Sequence, residues 1–326
     1  MAKTLSRLAV TLAVTALFIL AATPALAIDG GRPDHRAHKS VGILGFVVPD
    51  TYPANAGQFG LPPFEPGQAY GWCSGFVISD SAFVTAAHCI TPVAGFFQAF
   101  GGATWVVSLE GGSPRHPVVP PGCLDAAHIF FSIPDFPLLV AGVAAENVFL
   151  HPDPVLHDIA VLRFAEGSFG VRPVRLPEEG ALDELASRGV LDNMPVHGVG
   201  YGAGEPCEGG VTIVGYRQRA LMANAGLDAT GQRLLWQLPQ PLWGALPGLG
   251  DSGGPVFLRG TVVALTSFGA FWQRLDTESS LEFLEDCLEG ECLQVDEDED
   301  DDEDEDNDGA DDENEDDDEE EEEGDE

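Results

Sequence analysis

Three side chains in this sequence have the types needed to break an acyl bond. Ser252 lies in Gly250-Asp251-Ser252-Gly253-Gly254-Pro255, His88 in Thr85-Ala86-Ala87-His88-Cys89, and Asp158 in His157-Asp158-Ile159-Ala160-Val161-Leu162. A free serine hydroxyl is a poor nucleophile at neutral pH. It becomes effective when an imidazole within hydrogen-bond reach takes its proton and a carboxylate holds that imidazole in the useful tautomer. The three residues occur in the chain order His, Asp, Ser, which excludes the α/β-hydrolase order Ser, Asp, His and so disfavours an esterase of that fold.

With that order, five segments carry a resemblance: Ile28-Asp29-Gly30-Gly31, Cys73-Ser74-Gly75, Thr85 to Cys89, Asp158-Ile159-Ala160 and Gly250 to Pro255. Together, spread over most of residues 28 to 275, they resemble the trypsin/chymotrypsin-like (S1-type) serine proteases. The resemblance implies that Ser252 is the nucleophile, His88 the general base and then acid, and Asp158 the group that orients His88. It places the oxyanion hole at the backbone N–H groups of Gly250 and Ser252. Ser267, in Thr266-Ser267-Phe268-Gly269, matches the serine that supports the buried aspartate. Leu246, Ser267 and Gly269 fall at substrate-binding positions.

Leu246 stands six residues before the nucleophile, where members that cut after Lys or Arg carry Asp. A buried cation would find no counter-charge there, so an apolar or small P1 residue is expected. Gly248 takes the place of the cysteine that usually braces this pocket, and the short segment from Gly269 to Arg274 carries Phe271 and Trp272.

The elements that must position these groups read as many short strands. Val41 to Val48, Trp72 to Ser79, Phe83 to Ala87, Thr104 to Leu109, Val148 to Leu150 and Ile159 to Phe164 form the first set. Met194 to Gly200, Gly210 to Met222 and Val256 to Ser267 form the second. Pro49 to Gly71 and Gly111 to Pro137 read as Pro- and Gly-rich loops, and Thr277 as the N-cap of a helix with Ser280 to Leu288 amphipathic. Short strands with Gly and Pro turns indicate an all-β fold. The resemblance makes it two antiparallel six-stranded β-barrels, about 28–165 and 175–275, with a short C-terminal helix at about 277–288. The protease domain then spans 28–290.

The ends are of different character. Residues 1–27 read as a signal peptide: Lys3 and Arg7, an apolar run from Leu8 to Leu20, and Ala25-Leu26-Ala27 as the cleavage site. Cleavage after Ala27 would expose Ile28, and the resemblance implies that its free amine pairs with Asp251. Residues 291–326 read as a disordered acidic tail.

The chain has 326 residues, 54 Asp and Glu against 15 Lys and Arg, and a net charge of −39. Since 26 of the 31 residues from 296 to 326 are acidic, the body is only moderately negative. Such a surface argues against nucleic-acid binding. Asp304, Asp306, Asp308, Gly309 and Glu315 fit the spacing of a calcium loop, but a run of this composition yields such matches easily, so only weak calcium binding is expected. No other cofactor or metal is expected, and His116, Cys123 and His128 fit no zinc spacing well.

Six cysteines suit export to an oxidising compartment, secreted or periplasmic. The resemblance pairs Cys73 with Cys89. Cys123, Cys207, Cys287 and Cys292 allow three connectivities, of which Cys287–Cys292 and Cys123–Cys207 are preferred. The expected function is a monomeric secreted serine endopeptidase acting on proteins or peptides, with no membrane contact after signal cleavage. The alternative is a non-catalytic binding protein on the same fold, its tail taking calcium or basic partners.

Overall fold

The computed structural model describes residues 28, 31–112, 147–192, 194–202, 215–237, 245–268 and 271–292, with the Trp72 side chain excepted. It also describes the backbone of strands Gly122–Asp125, Phe131–Ser132, Val140–Val143, Ala203–Cys207 and Gly210–Ile213. The expected signal peptide, Asp29, Gly30, His116, His128, Gly269, the side chains of Cys123 and Cys207, and the calcium-loop residues of the tail lie outside the described residues. Contacts divide the chain into two units, Met1–Gln294 and Val295–Glu326.

Two antiparallel sheets carry the first unit. One runs in the order Val140–Val143, Thr104–Ser108, Val41–Val47, Ala69–Val77, Ala82–Thr85, Ala160–Arg163, Val148–Leu150, with Phe131–Ser132 also against Ala69–Val77. The other runs Arg32–Pro33, Gln218–Leu227, Pro195–Gly200, Pro255–Leu258, Thr261–Thr266, Phe271–Arg274, Arg233–Trp236. In this second sheet Arg233–Trp236 pairs back onto Gln218–Leu227, which closes six strands into a barrel. No strand pair among the described residues closes the first sheet. A small third sheet joins Gly122–Asp125, Gly210–Ile213 and Ala203–Cys207. The all-β architecture expected from the sequence is observed, with one of the two expected six-stranded barrels closed among the described residues and the other strands forming a second sheet.

Burial explains the strand composition. Val41–Val47 is covered on both faces, with Val41, Ile43, Leu44 and Phe46 fully buried, so it shows an apolar run instead of alternation. Each such side chain contributes about 1.5–3 kcal/mol relative to exposure. The Pro49 to Gly71 segment, expected as a loop, holds a 3-10 turn at Ala56–Phe59 and gives its last three residues to the strand Ala69–Val77, and Tyr52, Ala56 and Phe64 are buried. Tyr52 meets Phe97 with ring centroids 5.5 Å apart, and Phe64 meets Tyr70 at 4.9 Å.

Several elements differ from the sequence reading. Val256 to Ser267 is a hairpin, Pro255–Leu258 with Thr261–Thr266, turned at Arg259 and Gly260 with φ of 52° and 87°; two positive φ values in succession suit the right-handed twist of the flanking strands. Gly210 to Met222 is two strands in different sheets, parted at Gly215 and Tyr216. Gly111 to Pro137 contains two short strands. A helix at Ala87–Phe97 follows the strand that leads to His88, and a second occupies Ala181–Ser187.

The C-terminal helix is Glu278–Glu289, within a residue or two of the expected span. Thr277 caps it, its Oγ1 accepting the Ser280 N–H at 3.3 Å. Its buried residues Ser280, Phe283, Leu284 and Cys287 fall at the i, i+3, i+4, i+7 spacing of one face. The expected disulfide Cys287–Cys292 closes just beyond it, with Cα atoms 4.4 Å apart.

Candidate active site

Strand register brings His88 and Asp158 together. Ala82–Thr85 pairs antiparallel with Ala160–Arg163, Thr85 opposite Ala160. His88 lies three residues beyond one end of that pair and Asp158 two residues before the same end, so both leave the sheet at one edge. The Asp158 carboxylate then grips His88 twice. Its Oδ1 accepts the His88 backbone N–H at 2.8 Å and its Oδ2 lies 2.6 Å from His88 Nδ1. The helix Ala87–Phe97 has no side-chain cap at Ala86. Asp158 supplies one through space, satisfying an orphan N–H of the first turn and placing negative charge at the positive end of the helix.

The second barrel contributes Ser267 and Ser252. Because Pro255–Leu258 and Thr261–Thr266 form an antiparallel hairpin, the residues just before the first strand and just after the second share one end. The Gly253 N–H donates to Thr266 O at 2.7 Å and the Thr266 N–H to Gly254 O at 2.8 Å, extending the ladder to the nucleophile loop. Ser267 Oγ donates to Asp158 Oδ2 at 2.5 Å. Asp158 is thus bound from both sheets, with its own N–H donating to Gln273 Oε1 at 3.3 Å. Burial alone would raise its carboxyl, but the charge and hydrogen bonds of His88 and the Ser267 hydroxyl hold it below the ordinary carboxylate value.

The loop at Ser252 is pressed against the first sheet. A Cβ on Gly253 would come within 2.8 Å of Ala86 N, and Gly253 has φ of 78°, so only glycine fits there. Gly250 has φ of 90°. No acceptor among the described residues takes the N–H of Gly250 or of Ser252, which leaves both donors free for a developing oxyanion. Ser252 itself is half-buried. Its hydroxyl has no hydrogen-bond partner among the described residues, and the bond to His88 expected of an assembled triad is not made. The Phe268 ring lies over the His88 imidazole with centroids 3.7 Å apart.

The expected disulfide Cys73–Cys89 is present, with Cα atoms 6.2 Å apart. Its sulfur atoms and a His88 ring nitrogen lie within 4.8 Å of one another, so the cystine backs the imidazole. The Ile28–Asp251 pair also meets. Ile28 is buried, its N donates to Asp251 Oδ2 at 3.1 Å, and it bridges in parallel to Leu246. Asp251 further accepts N–H groups from Gly248 at 2.9 Å and Gly202 at 2.8 Å. Burial pushes its carboxyl up to about 7 in spite of these three donors. Leu246 is half-buried beside this junction; Gly269, the expected pocket wall, lies outside the described residues.

Sequence reading did not find Ser74, Tyr201, Gly202, Gln273 or Phe268. Ser74 lies within a quoted segment, but nothing in its type or spacing marked it. The others act through backbone position or a pairing that only the fold creates.

No protein-family model matches the sequence, and no curated protein matches it. Among solved structures the chain is similar to human heparin binding protein, at 15% identity and a TM-score of 0.48, covering 82% of this chain and 99% of that one. It is similar to GrC at 16% identity and a TM-score of 0.48, covering 80% of this chain and 100% of that one. Likeness at this level carries nothing about chemistry, which has to come from the contacts above.

Proposed function

We propose that the chain is an exported serine endopeptidase that works through an acyl-enzyme. What carries the reading is the hydrogen-bonded series Ser267–Asp158–His88 beside a loop that keeps the N–H groups of Gly250 and Ser252 unspent. An ionised carboxylate only accepts, so Asp158 at His88 Nδ1 fixes the proton on that nitrogen and leaves Nε2 as the base. Nε2 takes the Ser252 proton as Oγ attacks the carbonyl carbon, and the carbonyl oxygen gains its charge at the two N–H groups. His88 then hands that proton to the leaving nitrogen. A water deprotonated by the same imidazole hydrolyses the ester and restores Ser252. Each oxyanion donor is worth about 3–4 kcal/mol in such a site.

Leu246 at the expected pocket base supports an apolar or small P1 residue and disfavours Lys or Arg, which would leave a cation buried without a partner. Cleavage after Ala27 would turn the Ile28 peptide N–H into an ammonium facing Asp251, so export itself would generate the active terminus. Mass spectrometry of the mature protein tests that point: a start elsewhere than Ile28 would remove it.

A second reading, a binding protein without catalysis, is favoured by one observation: Phe268 covers His88 and the Ser252 hydroxyl is unbonded to it. Apo catalytic hydrogen bonds are often unmade until substrate arrives, so the endopeptidase reading stands. Labelling of the purified protein by a fluorophosphonate, with Ser252→Ala as control, separates the two. Labelling of the wild type alone supports the enzyme; no labelling of either supports the binding protein.

A further inference from the structure

Resting on the endopeptidase reading, we infer that Ser74 is a positioning residue that holds the oxyanion donors of the second barrel from the first sheet. Ser74 is fully buried in the strand Ala69–Val77. Its Oγ donates to Gly250 O at 2.7 Å and accepts the Tyr201 N–H at 2.9 Å. Its backbone N–H donates to Ser252 O at 2.8 Å, and its own carbonyl accepts Thr85 Oγ1 at 2.8 Å. One residue of the first sheet therefore grips the nucleophile loop on both sides of Asp251.

The consequence follows from peptide planarity. The Ser252 N–H belongs to the second of the three successive planes between Gly250 and Gly253, and the Gly250 N–H belongs to the plane just before them, joined to the first through the φ and ψ of Gly250. The first has its C=O held by Ser74 Oγ and its N–H by Gly248 O at 3.0 Å. The second has its C=O held by the Gly254 N–H at 2.8 Å. The third has its C=O held by the Ser74 N–H and its N–H by Thr266 O. Only the first depends on a side-chain hydroxyl. Gly250 has no Cβ and sits at φ of 90°, so without the hydroxyl its peptide is held only through the Asp251 N–H to Gly248 O and can tilt about that bond.

The test uses the full-length secreted protein and its Ser74→Ala variant. Tyr201→Phe serves as a matched control that loses buried hydrogen bonds, to Glu110 O at 2.8 Å and to Arg217, without touching Gly250. Each protein is assayed on an apolar-P1 peptide ester and on its thionoester, whose sulfur is a poor acceptor for oxyanion donors, and each is melted by circular dichroism. Ser74→Ala should lower kcat on the oxo-ester about tenfold with KM little changed, because the donors are misplaced and not deleted. It should lower the thionoester rate less, so the oxo-to-thiono ratio falls; Ser74→Thr, which keeps the hydroxyl, should restore the ratio.

Tyr201→Phe should reduce thermal stability and leave that ratio at the wild-type value. An unchanged ratio in folded Ser74→Ala, or an equal fall of both rates matching Tyr201→Phe, overturns the inference while leaving the enzyme reading intact. A wild type that turns over neither ester and takes no fluorophosphonate overturns both.

Discussion

The backbone nitrogen of Ile28 lies 3.1 Å from Asp251 Oδ2, and no cation among the described residues faces that carboxylate. In the uncut chain this nitrogen is a peptide N–H, and burial keeps the Asp251 carboxyl at about 7, above its ordinary 3.8. An acid whose folded value is raised contributes stability that is complete below the unfolded value and is lost as pH rises through the folded one. Uncut protein carrying Ser252→Ala should therefore lose stability between pH 4 and 8, by up to about 4 kcal/mol relative to its Asp251→Asn derivative. A chain beginning at Ile28 brings an ammonium to the carboxylate, so its stability should instead hold to about pH 8 and then decline as the amine deprotonates. Denaturant titrations across pH check this; identical profiles for the two chains would contradict the pairing.

Ser267 and Asp158 are joined across the two sheets at 2.5 Å, and the hydroxyl is one of the groups that keep the carboxyl ionised. Ser267→Ala should lower kcat/KM about three- to tenfold and raise the pH at which activity falls on the acid side, because a supporting donor is gone. Asp158→Asn should be far worse, about 10⁴-fold in kcat, since an amide nitrogen at Oδ2 would force His88 Nδ1 to accept and put the proton on Nε2. Rates of fluorophosphonate inactivation against pH distinguish the two. Equal losses in both variants would mean that Ser267 does more than support the aspartate.

Which parts of this could be read from residue types follows a physical division. Ser252, His88 and Asp158 stand out because nucleophile chemistry demands those types, and Ile43 or Phe83 because buried strands demand apolar runs. The helix Ala87–Phe97 escaped because Pro92 lies inside it and its residues are apolar nearly all round, leaving no clear 3.6-residue contrast. Ser74 escaped because its function lies in what stands opposite it: Leu44 pairs with Cys73 and Ile43 with Ser74, while the hydroxyl leaves the sheet for a loop 176 residues away. The interruption at Gly215 escaped because the residues on either side are equally suited to strands. Only their different partners, Gly122–Asp125 and Pro195–Gly200, separate them.

His157 precedes Asp158 directly and stacks on His151 with ring centroids 4.3 Å apart, both imidazoles buried. Ser279 Oγ faces His151 Nε2 at 2.9 Å, the Asp153 N–H donates to His151 Nδ1 at 3.0 Å, and Phe283 packs on the ring. His157 Nδ1 has no partner among the described residues. Burial lowers both rings below 6.5, His157 adding to the effect on His151, while the Asp153 charge opposes it on both. Bases with depressed folded values hold their full stability above 6.5 and lose it as pH falls, because the unfolded chain takes the protons more readily. The thermal midpoint should fall from pH 7 to 5, with inactivation by fluorophosphonate slowing alongside as the Asp158 segment loosens. His157→Gln should flatten the thermal curve; a slope unchanged by that substitution would place the acid sensitivity elsewhere.

Arg217 is almost fully buried and pairs with the equally buried Asp34, Nε to Oδ2 at 2.9 Å. Its Nη1 also donates to Val41 O at 2.8 Å and to the Tyr201 hydroxyl at 3.2 Å, tying the N-terminal segment to both sheets. Burial would raise the Asp34 carboxyl, yet His38 and Arg217 hold it at about 2. A depressed acid contributes stability that is present above 3.8 and is lost as pH falls toward 2. Asp34→Ala strands a guanidinium with no counter-charge and should cost about 3–5 kcal/mol in urea unfolding at pH 7. Replacing both members, Asp34→Leu with Arg217→Met, removes the uncompensated charge and should recover much of that loss, since a buried ion pair mainly offsets its own desolvation. A double variant as unstable as the sum of the two single ones would show instead that the hydrogen bonds from Arg217 to Val41 and Tyr201 hold the sheets together independently of Asp34.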